Sequence, residues 1–483
     1  MRIKSIKKQE GLRRIFSLTD LSSLSISSVG PAFSIAAAGG VMIGYSGSFS
    51  LVAILLIALP SVLNSLIFRL LNQHFPQSGA SYYWSARVLG ETTSRFQGWV
   101  IILAYFTSLP PIVLPAAQYT IALIHPQWAT NIWVQFIIGT FWILFAAIPL
   151  LFGAHLTARI TQIFMIVEFV FLLVFATLGI GMLPYAHFSV STGSVPISGI
   201  LLTMVIATTI LDGWEIDSYA TEESIHPRKD PGIGGIIGAF SALGIYMLFF
   251  PLILTETPIH LLENSPDVML AWSQKVSTHF SISNTKWILV PILASTVGSL
   301  WLTGYILIRS LFVMGRDRLI PYRFAKLNRH GVPSYATLVI LLTVWLVTLL
   351  QLFISSFASF FNVILSTAGF FLTLEFMLDS LTATIFLWQK HDENRAHTLK
   401  PHSHFWMRIG SLFTTVYLSA VIVGFLILSP KIISPWIDRV ILVLILFGFV
   451  FVIFPRKVRP TIHIFEFEEI DVSLAKTSHL PGE

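Results

Sequence analysis

No cysteine occurs among the 483 residues, which excludes disulfides, thiolate metal sites and cysteine nucleophiles together. Charge is scarce as well: Asp, Glu, Lys and Arg make up 11% of the chain, against roughly 25% in soluble domains. A water-soluble fold of this size has too little polar surface to cover a chain that is 54% hydrophobic. No HExxH or GxSxG motif is present, and the 14 histidines sit mostly in loops without metal-ligand spacing. No nucleophile, metal cluster or cofactor motif therefore points to an enzyme. The net charge of +6 is spread among short loops and gathered on no single face, which argues against a nucleic-acid partner.

What the chain does contain is apolar blocks of membrane-spanning length, about 20 residues being enough to cross roughly 30 Å of hydrocarbon. Twelve such blocks fall near 17–44, 49–71, 98–124, 131–153, 160–184, 198–221, 233–255, 287–309, 335–355, 360–388, 409–429 and 435–455. The first follows a basic stretch and contains Ala36-Ala37-Ala38, but it runs on past these small residues and is too long for a signal peptide. The pattern predicts an all-α polytopic membrane protein with the lipid bilayer as its solvent.

With an even number of spans both termini share one side. Placing that side in the cytoplasm puts 26 of the 30 Lys and Arg there and leaves only Lys275, Lys286, Lys431 and Arg439 opposite. The positive-inside rule thus predicts cytoplasmic termini, with 1–16 leading and 456–483 trailing as a tail. Three loops are long, about 72–97 and 310–334 inside and 256–286 outside. None has room for a soluble domain.

Two spans are interrupted. The first carries Gly30-Pro31 in its middle, where proline lacks an N–H and clashes with the preceding turn. The sixth reads TMVIATTILDGWEIDSYATEE, with Asp212, Gly213 and Glu215 at mid-span. Breaks of this kind are tolerated in a bilayer only where the bared backbone lines a cavity. Paired breaks in corresponding positions of two halves mark a transporter binding site, and these lie about 180 residues apart. A half-helix N-terminus offers N–H groups to a carboxylate, and unwound carbonyls accept from an ammonium, so an amino acid or related amine is the expected solute.

Asp20, Glu168, Asp212, Glu215, Asp217, Glu375 and Asp379 fall within the spans, whereas Lys and Arg occur only near span ends. Each costs at least about 2.5–3.5 kcal/mol to insert. Acids at mid-depth without a fixed cation suit a mobile proton or a cationic substrate, and Glu168 and Glu375 are the candidate coupling residues. GIGGIIG, from Gly232 to Gly238, lacks the strand and spacing of a nucleotide loop, and its Gly234 and Gly238 instead predict a helix-packing face. The aromatic stretches at Tyr105-Phe106 and Trp301 to Tyr305 offer two candidate gates, Tyr105 and Trp301, or equally packing residues.

Three segments resemble the amino acid-polyamine-organocation transporter superfamily: FPQSGASYYWSARVLG (Phe75 to Gly90), GWEIDSYATEESIHPRKDP (Gly213 to Pro231) and RSLFVMGRDRLIPYRFAKLNRHGVP (Arg309 to Pro333). They occur in the family's order and on the predicted cytoplasmic side. The resemblance implies a leucine-transporter-like 5+5 inverted repeat, here 17–184 and 198–388, with two peripheral helices over 409–455. It also implies that Gly30, Pro31, Ala32, Phe33, Ser34 and Ile35 cradle the substrate carboxylate. Thr209, Ile210, Leu211, Asp212, Gly213 and Trp214 would then contact the amino group and side chain.

Two departures stand out. The family's glycine-rich pattern in the first span is here SSVGPAFSI, and Glu168 occupies a fifth-span position where proton-coupled relatives often carry a lysine. Glu168 would carry the proton itself, attract a cation, or hydrogen-bond the first span. The expected function is secondary transport across the cell membrane by alternating access, as proton symport or solute exchange. The alternative is a transporter-like receptor that binds without translocating.

Overall fold

Each segment that hydropathy marks as a span carries α-helix in the computed structural model, which describes residues 12–185, 197–263, 265–282, 285–353, 357–389 and 401–453. The predicted basic leader as far as residue 11 and the tail over 456–483 lie outside the described residues. The first half comprises α1 (Leu18–Val29), α2 (Pro31–Ser46), α3 (Ser50–His74), α4 (Ala80–Val88), α5 (Glu91–Ser108), α6 (Pro110–Ile124), α7 (Ile132–Phe152) and α8 (Ala154–Met182). The second comprises α9 (Ile197–Ile210), α10 (Ile216–Tyr219), α11 (Asp230–Glu256), α12 (Ile259–Leu262), α13 (Val268–His279), α14 (Leu289–Arg316), α15 (Ser334–Leu350) and α16 (Phe357–Trp388). Then come α17 (Pro401–Ile432) and α18 (Ile437–Ile453). Among the described residues there is no sheet, only a single bridge between Phe16 and Ser224.

Nine helical stretches among the described residues are long and apolar enough to cross a membrane. The first, Leu18–His74, contains two of the predicted spans. The sixth predicted span falls short because α9 stops at Ile210, before the acidic break. Outer helices turn their apolar side chains outward, as Leu144, Leu173, Ile427 and Phe447 show. In water such a surface would aggregate, whereas in lipid it is the solvated face. By contrast, the most apolar stretch of α14 is entirely buried, which makes it the central post of the bundle.

Helix α1 packs on α11 and α8, α2 on α9 and α13, and α9 on α3 and α16. The Gly234 and Gly238 face of α11 allows the first of these approaches. A Cβ on Gly238 would lie 2.7 Å from Ser25 Cβ, and one on Gly234 3.2 Å from Leu21. The expected small-residue packing face is thus in place. Asp20, counted above with the buried acids, sits in the first turn of α1 and closes a capping box with Ser17. It also accepts from Gln162 Nε2 at 2.8 Å, so it is an end-of-helix residue. Helix α14 continues seven residues beyond the predicted span end at Arg309, which places that arginine inside the bundle.

Candidate functional site

Both interruptions are real and they touch. Gly30 ends α1 with φ 56° and ψ 64°, the left-handed conformation that ends helices, and Pro31 begins α2 at once. Gly213 follows α9 with φ 104°, and a Cβ there would lie 2.7 Å from the carbonyl carbon of Ser28 and 2.8 Å from Val29 N. Only glycine allows this approach, since the backbone of one broken span rests on that of the other.

Beside this contact lies a cavity to which five spans contribute. From the first span Ser28, Val29, Phe33, Ser34, Ala37 and Ala38 reach it. The sixth span supplies Thr209, Ile210 and Asp212. Ser108, Pro111 and Ile112 close it from the third span, Ser299 and Thr303 from α14, and Phe361, Leu365 and Ala368 from α16.

Of the expected binding residues, Phe33, Ser34, Thr209, Ile210 and Asp212 line the cavity. Gly30, Pro31, Ala32 and Ile35 do not line it, and neither do Leu211, Gly213 and Trp214. Trp214 is buried against Phe68 and Phe376, and its indole N–H donates to the Leu211 carbonyl at 2.9 Å. Tyr105 and Trp301 are fully buried and neither borders the cavity. Trp301 packs on Phe164 and donates to Thr161 Oγ1 at 3.0 Å.

The third span contributes residues that the sequence reading passed over. Its helix is divided at Leu109, between Ser108 and the pair Pro110-Pro111. Two consecutive prolines inside an apolar block were a legible signal for that division.

Glu168 reaches the first span from α8. Its Oε1 accepts the Ala32 N–H at 2.9 Å and the Ser295 hydroxyl at 2.8 Å, while Ser295 Oγ accepts the Phe33 N–H at 3.2 Å. The carboxylate therefore sits on the N-terminus of α2, where helix dipole and free donors favour negative charge. Of the three roles open to Glu168, a hydrogen bond to the first span is the one its geometry displays.

Asp212 faces the cavity, and its Oδ1 is buried without a hydrogen-bond partner. Behind it, Glu215 accepts the Gly213 N–H on both oxygens, at 3.0 and 2.9 Å. The Tyr105 hydroxyl stands between Glu215 (3.0 Å) and Glu375 (3.3 Å). Glu375 also accepts from Tyr219 O–H at 2.7 Å, and Asp379 accepts from Ser81 Oγ at 2.8 Å. These acids and hydroxyls run from the cavity to α4, the short helix in the loop after α3. Among the described residues no lysine or arginine pairs with any of the four acids.

The sequence profile of the family described as amino acid permease matches residues 16–462. This chain belongs to that family. Among curated relatives, the branched-chain amino acid permease BcaP of Lactococcus lactis subsp. cremoris (strain MG1363) is 22% identical over 342 residues, 67% of this chain and 71% of that protein. The methylthioribose transporter of Bacillus subtilis (strain 168) is 24% identical over 348 residues, 68% of this chain and 72% of that one. The crystal structure of MhsT in complex with L-phenylalanine superposes with a TM-score of 0.63 at 12% identity, covering 86% of this permease and all of that chain. The permease thus has the leucine-transporter-like fold, and it is a multi-pass membrane protein of a transporter family.

Proposed function

We propose that this permease is a secondary active transporter that carries a small amino acid or related amine by alternating access, rocking one set of helices against the rest around the cavity described above. The observation that carries the reading is the meeting of both broken spans at one cavity, with three further spans completing its wall. The order of the chain supports repeats over 17–184 and 198–388, two peripheral helices over 409–455, twelve crossings and cytoplasmic termini in the cell membrane. Phe33, Ser34, Thr209, Ile210 and Asp212 are the binding residues in this reading. One relative is named for amino acids and the other for a thio-sugar, so membership of the family leaves the solute's headgroup open.

Proton coupling fits Glu375. Hydroxyl groups surround it, no lysine or arginine among the described residues pairs with it, and its Oε2 is buried without a partner. Such a carboxyl is free to exchange a proton as the surrounding helices move.

Counterflow of labelled solute into proteoliposomes containing the purified chain tests transport. Accumulation against unlabelled internal solute is the expected result. Binding without accumulation would establish the receptor alternative instead.

A further inference from the structure

We infer that the solute of this permease is a cationic amine that lacks a carboxylate, such as a di- or polyamine or a decarboxylated amino acid. The inference rests on the transport reading above and deepens it by naming the solute's charged groups.

An α-amino acid brings an anion and a cation, and each needs its own partners. In a broken span the anion's natural partners are the first-turn N–H groups of the half-helix. None remains free in α2. Pro31, at the first position, has no N–H. The Ala32 N–H is taken by Glu168 and the Phe33 N–H by Ser295, and the Ser34 N–H donates to the Gly30 carbonyl at 2.8 Å. The Ser34 hydroxyl turns back to the Val29 carbonyl, also at 2.8 Å. Glu168 places the chain's own carboxylate on the donors that a substrate carboxylate would need. A second anion there would crowd the Glu168 carboxyl and find no free N–H in that turn.

The cavity is furnished for a cation throughout. Ser28 and Val29 belong to the last turn of α1, and Thr209 and Ile210 to the last turn of α9. Both helices therefore direct their negative ends at the same space. Asp212 adds a carboxylate oxygen that is buried and unpartnered. Among the described residues that line the cavity there is no lysine, arginine or histidine. Phe33, Ile112, Phe361 and Leu365 provide apolar wall for the methylenes or ring of the amine.

Matched pairs that differ only by the carboxylate test this: putrescine and ornithine, cadaverine and lysine, agmatine and arginine, phenethylamine and phenylalanine. Each is titrated against the purified full-length permease by thermal shift. The amines are expected to stabilise it at concentrations at least about 10-fold lower than their parent amino acids, because the carboxylate would find no free N–H in the first turn of α2. An amino acid that binds as tightly as its amine, or no binding by any amine, overturns the inference. Glu168→Ala, which frees the Ala32 N–H, should narrow the preference by about the same factor of 10, and Asp212→Asn should weaken binding of the amines. Should either variant fail to fold, the wild-type pairs decide the matter alone. Counterflow with the same pairs separates the two readings. Amine binding without uptake removes transport and leaves the solute class standing, whereas preferential uptake of the amino acids does the reverse.

Discussion

Arg309 and Glu223 offer the sharpest energetic test of the bundle. Arg309 is 1% exposed and Glu223 2% exposed, yet both carry formal charge. The guanidinium meets the carboxylate bidentately, Nε to Oε2 at 2.8 Å and an Nη to Oε1 at 2.9 Å. The Tyr305 hydroxyl donates to the same carboxylate, and its ring lies 4.2 Å from the guanidinium carbon. Glu223→Gln removes the charge and one acceptor arm and leaves the arginine buried beside a neutral amide. Breaking a buried pair in this way costs about 3–5 kcal/mol, whereas exchanging both partners for apolar side chains is often neutral. The Glu223→Met, Arg309→Met double variant should therefore recover most of what either single change loses. Equilibrium unfolding in mixed micelles across the four proteins yields the coupling energy. Glu222 and Arg316 form an internal control, a bidentate pair with side chains 11% and 18% exposed, whose loss should cost less. A penalty under about 1 kcal/mol for Glu223→Gln, the scale of an exposed pair, would refute the assignment. So would a double variant whose loss equals the sum of the singles. The cluster ties the segment after the sixth span to α14, and the Glu223 carbonyl also accepts the N–H groups of Ile15 and Phe16 at 2.8 Å. Any opening on this side of the bundle must part these elements, so weakening the pair should also raise the reactivity of a cysteine introduced into the cavity by Ser34→Cys toward a thiol-reactive reagent added from that side.

Three further outcomes are expected. Glu375→Gln should leave solute binding within about 3-fold of wild type and abolish the response of uptake to an imposed pH gradient; uptake that still follows the gradient in proteoliposomes would exclude Glu375 as the coupling group. Gly213→Ala should destabilise the fold by roughly 1–3 kcal/mol from backbone strain alone, with more from the collision with Ser28 and Val29, and an unchanged melting temperature in detergent would show that the two breaks do not touch. Asp267, in the loop between α11 and α14, caps α13 by accepting the Leu270 N–H at 2.8 Å, and burial pushes its carboxyl up to about 7. Because its folded pKa lies above the unfolded one, the native chain keeps a proton that the unfolded chain has released. Its stability contribution is full below about pH 4 and is lost as pH rises toward 7. Asp267→Asn should therefore raise the melting temperature near neutral pH and above while leaving it unaltered in acid, and an equal effect at both ends would refute the assignment.

Hydropathy blocks predicted where helices lie because lipid imposes one requirement on every span, an apolar run of fixed length. Gly30-Pro31 and Asp212-Gly213 were legible for the opposite reason, as residues that an uninterrupted lipid-facing helix excludes. Pro110-Pro111 carried the same kind of signal inside a third span and was read through as continuous apolar sequence. What sequence did not disclose was which side chains the breaks would face. The acids were correctly set apart from lysine and arginine, but their hydroxyl partners come from distant helices: Ser81 lies 294 residues from Glu375 and Tyr105 lies 270 away. Nor did Glu222 and Glu223 reveal a role, since their arginines lie 94 and 86 residues on, in a helix read as ending at Arg309.

Pro31 and Glu168 differ from the family pattern in two separate spans, and along the chain nothing links them. In the fold they meet at one helix end. A proline at the first position of α2 removes a donor from the turn that would hold a substrate carboxylate, and the next donor, Ala32 N–H, is held by Glu168 across 136 residues of sequence. Either change alone would leave a damaged carboxylate site. Proline alone would leave Ala32 and Phe33 as donors, and glutamate alone would compete with the substrate for a full set. Together with Ser295 they leave a helix end whose N–H donors are all satisfied within the protein and whose positive dipole already meets the Glu168 carboxyl. The end is then structurally complete when the cavity is empty, which removes the electrostatic reason for an anionic group to enter. The broken spans therefore offer the cavity an unpartnered acceptor at Asp212 and no free N–H from the first turn of α2, an arrangement that suits a donor cation.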